Sequence, residues 1–175
     1  MKKNKRLARV KAIVRDDLVQ KEIKNFLKMN KHTVYGARSI NAQAGILKRD
    51  TMDWDAYSNN PKKTAHQLQK QLDKVVGGNY FFKKEAMHKG TWKVKGMGDD
   101  LIPNTEDDVE VADFSMPDKK IKFKVVDGIR YRDLKSEIKA KKSSVADPEF
   151  KFRHEKDQKD LDRIKYNLTI RRAMS

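Results

Sequence analysis

Apolar positions along the chain fall into short runs whose spacing assigns most of the elements. Val19, Ile23, Phe26 and Leu27 recur at the helical period behind Asp16 or Asp17, either of which can cap a helix that ends near Asn30. A short strand, His32 to Tyr35, then runs into the small-residue turn Gly36-Ala37-Arg38-Ser39, with polar Asn41 and Gln43 beyond it. From Thr51 to Ser58 the pattern alternates. Thr51, Asp53 and Asp55 share one parity and Met52, Trp54 and Ala56 the other, so a strand here sets Asp53 and Asp55 on one face. Asn60 caps the next helix, with Pro61 in its first turn. Ala65, Leu68, Leu72 and Val75 form its buried stripe, and Gly77-Gly78 stops it. Strands are expected at Tyr80 to Lys84, Thr91 to Lys95 and Val109 to Phe114, the last with Val109, Val111 and Asp113 on one parity. Another, Ile121 to Val126, ends at the turn signal Asp127-Gly128. The final third reads as helices, from Asp133 to Lys142 with Leu134 and Ile138 inward, and from Glu155 to Arg171 with Leu161, Ile164 and Leu168 inward. Asp147-Pro148 separates the two. Elements in this order predict an α+β fold, one mixed sheet with helices packed on it and helices at the C-terminal end.

Composition sharpens this into one compact domain over residues 16–175 behind a basic arm at residues 1–15. The chain has 175 residues, with eight Gly, four Pro and no repeat to divide it. It has no Cys, which excludes a disulfide framework, a thiol nucleophile and every thiolate metal site. No apolar run approaches the ~20 residues of a membrane helix. The N-terminus lacks the apolar core of a signal peptide, so an intracellular, cytoplasmic protein with no membrane partner is expected. Lys and Arg number 41 against 25 Asp and Glu, a formal net charge of +16, which favours phosphate-bearing partners. The excess is uneven. Residues 1–15 carry basic side chains and no acid, whereas Asp99, Asp100, Glu106, Asp107, Asp108, Glu110, Asp113 and Asp118 crowd a stretch without Lys or Arg. A protein that only coated nucleic acid would gain nothing from that acidic centre, because its carboxylates repel the phosphate backbone.

Other chemistry is excluded by spacing. His32, His66, His88 and His154 are isolated and make no zinc site. Asp99 to Glu110 lacks the glycine and alternating acids of a calcium loop and reads as a solvated loop. Trp54 and Trp92 read as core aromatics of strands, and His88-Lys89-Gly90 as a hairpin turn.

What remains is a constellation of carboxylates and small residues. Gly36-Ala37-Arg38-Ser39 can present backbone N–H groups to a phosphate, with the Ser39 hydroxyl beside them. Asp53 and Asp55, about 7 Å apart along a strand face, can converge on a cation. Asp113 lies between apolar Ala112 and Phe114, where a carboxylate needs a partner such as a shared divalent metal. Three such carboxylates beside a phosphate nest make a two-metal site for phosphoryl transfer. Lys93 and Lys95 are candidates to hold a triphosphate tail.

The motifs Gly36-Ala37-Arg38-Ser39, Arg49-Asp50-Thr51-Met52-Asp53-Trp54-Asp55 and Val111-Ala112-Asp113-Phe114-Ser115 together resemble the nucleotidyltransferase superfamily built on the DNA polymerase β palm. The likeness is to its small stand-alone members, among them abortive-infection toxins and short proteins of viral and mobile genomes. Asp127 to Leu134 and Lys156 to Leu161 are similar to that family's closing part, where a strand leads into a D-L-containing helix and a later K-D-L helix packs below, so the likeness spans about residues 16–170. It implies that Asp53, Asp55 and Asp113 chelate Mg2+ or Mn2+, that the Gly36 turn holds the nucleotide phosphates, and that Arg49 and Thr51 orient the site. It further implies transfer of a nucleoside monophosphate from an NTP to a hydroxyl, with release of pyrophosphate, the acceptor being an RNA or DNA end or a protein side chain. The alternative is a catalytically silent fold serving as a basic nucleic-acid-binding or structural protein, virion-associated if viral. Two departures stand out. Ala37 replaces the family's second Gly or Ser, and the long gap from there to Asp53 implies an extra loop at Asn41 to Lys48.

Overall fold

The computed structural model describes residues 13–175. The basic arm expected at residues 1–15 lies outside the described residues except for 13–15, which are helical, and Val14 is already fully buried. The architecture is α+β, as expected, with a seven-stranded sheet whose strands lie in the order Phe81–Glu85, Trp92–Gly96, Val109–Ser115, Trp54–Tyr57, Thr33–Tyr35, Ile129–Arg132 and Phe123–Val126. The chain divides into two compact units, one of residues up to Thr33 and Met52–Lys120, the other of Val34–Thr51 and Ile121–Ser175.

In the first unit, helix α1 (Asp17–Met29) starts where the Asp16 side chain accepts from the Leu18 N–H, and it buries Val19, Ile23, Phe26 and Leu27. Strand β1 (Thr33–Tyr35) begins at the end of this unit. Strand β2 (Trp54–Tyr57) leads to α3 (Pro61–Val76), whose ends follow the sequence signals: Asn60 caps Lys63, Pro61 opens the first turn, and Gly77 closes it with φ 75°. Its stripe passes from Leu72 to Val76, four residues on, which leaves Val75 41% exposed, contrary to the expected inward position. Asp73 then accepts from the Tyr80 and Phe81 N–H groups and so fixes the start of β3 (Phe81–Glu85). Strands β4 (Trp92–Gly96) and β5 (Val109–Ser115) complete the unit, β3–β4 and β4–β5 antiparallel and β5–β2 parallel. Helix α3 packs on β3, β4 and β5, and α1 packs on α3. Trp54 is buried, as expected, with its ring N–H donating to Gln20 Oε1 at 3.1 Å. His32, half-buried, pairs its Nδ1 with the Tyr57 carbonyl at 3.0 Å and stacks on Phe26.

In the second unit, Gly36 adopts φ 73° and caps helix α2 (Ala37–Ala44), which occupies the stretch read from sequence as a turn and the first half of an extra loop. Only from Gly45 is the chain a loop. The helix is hidden in sequence because polar Ser39 and Gln43 lie on its buried face. Their partners come from far along the chain: Ser39 Oγ donates to the Arg132 carbonyl at 2.6 Å, Gln43 Nε2 donates to the same carbonyl at 2.8 Å, and Gln43 Oε1 accepts from the Leu134 N–H. Strands β6 (Phe123–Val126) and β7 (Ile129–Arg132) form a hairpin through Asp127-Gly128, both with positive φ. Helix α4 (Leu134–Ala146) is capped by Asp133, and a 3-10 segment (Pro148–Arg153) joins it to α5 (His154–Met174). Ile40, Ala44 and Ile164 form the core, with Leu134, Ile138 and Leu168 packed against it.

Two buried polar hubs hold this unit. Glu137, fully buried, accepts from the Gly36 N–H at 2.8 Å and from Arg132 Nε and Nη2 at 3.0 and 2.8 Å. Lys141 joins Asp157 at 2.9 Å and Asp160 at 2.8 Å, Arg163 bonds Asp160 at 3.0 Å, and Asn167 bonds both the N–H and the carbonyl of Leu47. Removing one partner of such a pair leaves the other charged and buried. Glu137→Leu is therefore expected to lose about 3–5 kcal/mol of unfolding free energy, and urea unfolding of the variant against wild type checks it.

Candidate active site

The site is built by strand alternation in the first unit. On β2, Trp54 and Ala56 point into the core, so Asp55 and Tyr57 take the opposite, half-exposed face. Asp53 lies one residue before the strand on the same parity as Asp55. On β5, simple alternation from Val109 and Val111 would turn Asp113 toward the core. The register prevents this: Lys93 pairs with Asp113 and Val94 with Ala112, but Lys95 pairs with Glu110, so Val111 is an extra residue on β5. Val111 and Ala112 are both buried, and the bulge returns Asp113 and Glu110 to the same open face. The expected shared parity of Val109, Val111 and Asp113 is thus corrected by this bulge.

In the parallel pairing of β2 with β5, Asp55 stands opposite Asp113. Continuing across the sheet, Asp113 is paired with Lys93 and Lys93 with Lys84. The Lys93 ammonium lies 3.3 Å from Asp113 Oδ2 and 3.4 Å from Glu110 Oε2, while Lys95 lies 3.4 Å from Glu110 Oε1. Burial pushes the Asp113 pKa up, Lys93 pulls it back, and Glu110 and Asp53 push it up again, leaving it raised. Burial works against the Lys93 charge, but Asp113 and Glu110 outweigh it and its pKa is raised as well.

Asp113 Oδ1 is buried with no hydrogen-bond partner. An orphaned carboxylate oxygen beside a second carboxylate suits a hard cation, since Mg2+ and Mn2+ take oxygen donors. Asp53, Asp55 and Asp113 therefore fit a divalent ion in their chemistry. Among the described residues no three or more His, Cys, Asp or Glu side chains stand preassembled around a metal position. Here the ammonium of Lys93, expected to hold a triphosphate tail, is engaged by Asp113 and Glu110.

The remaining predicted residues lie in the second unit. Gly36 precedes α2, and Ala37, Arg38 and Ser39 form its first turn. The Ser39 hydroxyl, expected at a phosphate, is fully buried and donates to the Arg132 carbonyl. The Gly36 N–H likewise donates to Glu137. Arg38 bears on Tyr131, whose pKa burial raises and Arg38 draws down. Arg49 lies 3.8 Å from Asp160, in a cavity of about 310 Å³, and Thr51 is half-buried. Sequence reasoning missed Glu110 and Lys84. The signal for Glu110 was the apolar pair Val111-Ala112, which interrupts the alternation of β5 and marks the bulge.

No protein-family model and no curated protein matches the sequence. Solved structures do match. The chain superposes on the Megavirus polyadenylate synthase with TM-score 0.68 at 19% identity, over 93% of this chain and 32% of that one. JHP933 from Helicobacter pylori gives TM-score 0.43 at 12% identity, covering 75% of this chain and 57% of that one. A proposed nucleotidyltransferase from H. pylori gives 0.45 at 12%, covering 75% and 59%. The chain thus has a fold found in the Megavirus polyadenylate synthase, and it spans about a third of that protein's length.

Proposed function

We propose that the chain is a nucleotidyltransferase that moves a nucleoside monophosphate from an NTP to a hydroxyl. The observation that carries this reading is the register that sets Asp55 opposite Asp113, whose Oδ1 is buried without a partner. Asp53, Asp55 and Asp113 would hold the cation. Mg2+ or Mn2+ there supplies charge neutralisation on the phosphates and a lowered pKa at the attacking oxygen. In the transfer the acceptor oxygen bonds to the α-phosphorus, the bond from that phosphorus to the bridging oxygen breaks, and pyrophosphate leaves. Asp113 would complete the cation site and help activate the acceptor hydroxyl, whose proton it is placed to take. Lys95 and Lys84 add positive charge to the same face for the polyphosphate.

The acceptor is proposed to be nucleic acid, an RNA or DNA end, in preference to a protein side chain. The net charge of +16 and the fold shared with a viral polyadenylate synthase support this. One observation favours the second reading, a silent binding module: Lys93 pairs with Asp113 Oδ2 without metal. The same likeness suggests, as a proposal, a viral or mobile genome as the source. A cytoplasmic or virion-associated site of action belongs with that proposal. No helix among the described residues is long and apolar enough to cross a membrane.

Incubation with each α-labelled NTP, magnesium and total RNA or protein tests the lead reading. Wild type is expected to label nucleic acid. Asp53→Asn and Asp55→Asn each remove several kcal/mol of transition-state stabilisation, about a thousandfold in rate. Salt-sensitive nucleic-acid binding with no transfer and no magnesium-dependent nucleotide binding would instead establish the silent module.

The charge balance at Asp113 gives a second expectation. Lys93→Met takes away the cation that holds the Asp113 pKa down, so carboxyl 13C NMR is expected to show that pKa higher in the variant than in wild type. The linkage has a definite sign. Because the folded-state pKa lies above the unfolded value, the folded state binds the proton more tightly. The associated stability is full below the unfolded value and is lost as pH rises through the folded one. The window of that loss widens in Lys93→Met, and urea unfolding across the acidic range measures it.

A further inference from the structure

We propose that the corner made by the 3-10 segment and the first turns of α5 binds single-stranded nucleic acid, with bases stacked on Phe150 and Phe152 and phosphates met by Lys151, Lys156 and Arg49. This deepens the nucleotidyl-transfer reading, on which it rests for the strand's role as acceptor, by naming where on the second unit that strand is held.

Exposure is the first observation. Phe152 is 79% exposed and Phe150 36%, and their ring centroids lie 6.4 Å apart at 47°. A single exposed aromatic needs no explanation, but a pair of phenyl rings presented together beside cations is a stacking platform, because every base has a π-face. Charge is the second. Lys151, Arg153, Lys156 and Lys159 follow within the same corner. Of the acids here, Glu155 is bonded by Lys159 at 2.7 Å and Asp157 and Asp160 are buried against Lys141, which leaves exposed Glu149 set against these cations. Exposed Lys151 and Lys156 are thus left to face a polyanion, and the charge complementarity selects nucleic acid over an apolar protein partner.

Shape is the third. Beside Phe152 lies the cavity of about 310 Å³ lined by Arg49, Phe152, Glu155, Lys156, Lys159 and Asp160. Arg49 brings to this lining a buried Nε–H with no acceptor, a donor suited to a phosphate or base oxygen. The platform is also preorganised. The Asp147 side chain caps Glu149, the His154 ring bonds the Asp147 carbonyl at 2.7 Å, and Ser144 bonds Asp157 at 2.7 Å, so both rings stand on a tied turn.

Fluorescence anisotropy with a labelled oligouridylate of about a dozen nucleotides, the matching oligodeoxynucleotide and a duplex of equal length tests this. Wild type should bind the single strands more tightly than the duplex. Phe150→Ala with Phe152→Ala should weaken single-strand binding about tenfold or more, while Phe152→Trp retains it. Lys151→Ala with Lys156→Ala should flatten the slope of log affinity against log salt by about 1.4, two phosphate contacts on a single strand. Circular dichroism of the exposed-residue variants should match wild type. Unchanged affinity in the double Phe variant, or equal binding of the duplex, overturns the proposal. The same titration on Asp53→Asn with Asp55→Asn separates the two readings. Binding kept there while wild type shows no transfer leaves the platform standing and the catalytic reading fallen, and transfer by a wild type whose binding ignores Phe150 and Phe152 does the reverse.

Discussion

Between Glu110 and Asp113, strand β5 spends two consecutive buried residues, Val111 and Ala112, over a stretch in which β4 advances only from Val94 to Lys95. On an unbroken strand the parity of Val109 would carry Asp113 into the packed side, against α3. A carboxylate there would lose its hydration without a partner, at a cost of several kcal/mol. The bulge reverses the parity at that one step. It lets Phe114 continue the apolar face, where its ring meets Phe26 and His32, and it delivers Asp113 opposite Asp55. Packing and chemistry are thus satisfied by the same irregularity, and a regular strand could satisfy only one of them.

Elements whose signals are local could be read from the sequence. Helix α3 carries its cap, its first-turn proline, its apolar stripe and its terminal glycine within one continuous stretch, and apart from Val75 at the end of the stripe they act where expected. The α+β order and the D-x-D pair were readable for the same reason. Helix α2 was not, because Ser39 and Gln43 look like surface residues until the Arg132 carbonyl, 93 and 89 residues away, arrives to satisfy them. Strand β7 has only four residues, and the alternation of Ile129 and Tyr131 is too short to stand out beside the next helix. At the site, the acids were visible as residue types. The engagement of Lys93 was not, since it follows from a register between strands that local pattern does not encode.

Such engagement also has a physical logic. Burial raises the Asp113 pKa, and the charges of Glu110 and Asp53 raise it further. Without compensation the face would favour a protonated Asp113, a poor metal ligand. Lys93, shared between Asp113 and Glu110, holds the carboxylate nearer its charged form while occupying only Oδ2. The orphaned Oδ1 is then the atom left to a second cation. An ammonium on one oxygen and a divalent ion on the other are compatible, because the acids on this face outnumber Lys93.

This local arithmetic reconciles an acidic centre with a chain whose net charge is +16. A polyanion approaching the molecule is attracted by the basic exterior over about a Debye length, roughly 8–10 Å at ordinary ionic strength. At contact distance the carboxylates of β2 and β5 repel bare phosphate, against the pull of Lys84 and Lys95. A nucleotide that arrives with its divalent ion meets neither penalty, since the ion neutralises phosphate and carboxylate together. The proposed hold on a strand's bases falls instead to the exposed rings of Phe150 and Phe152, where stacking does not depend on charge. In the proposed function, long-range attraction, metal-dependent chemistry and base contact thus fall to different residues.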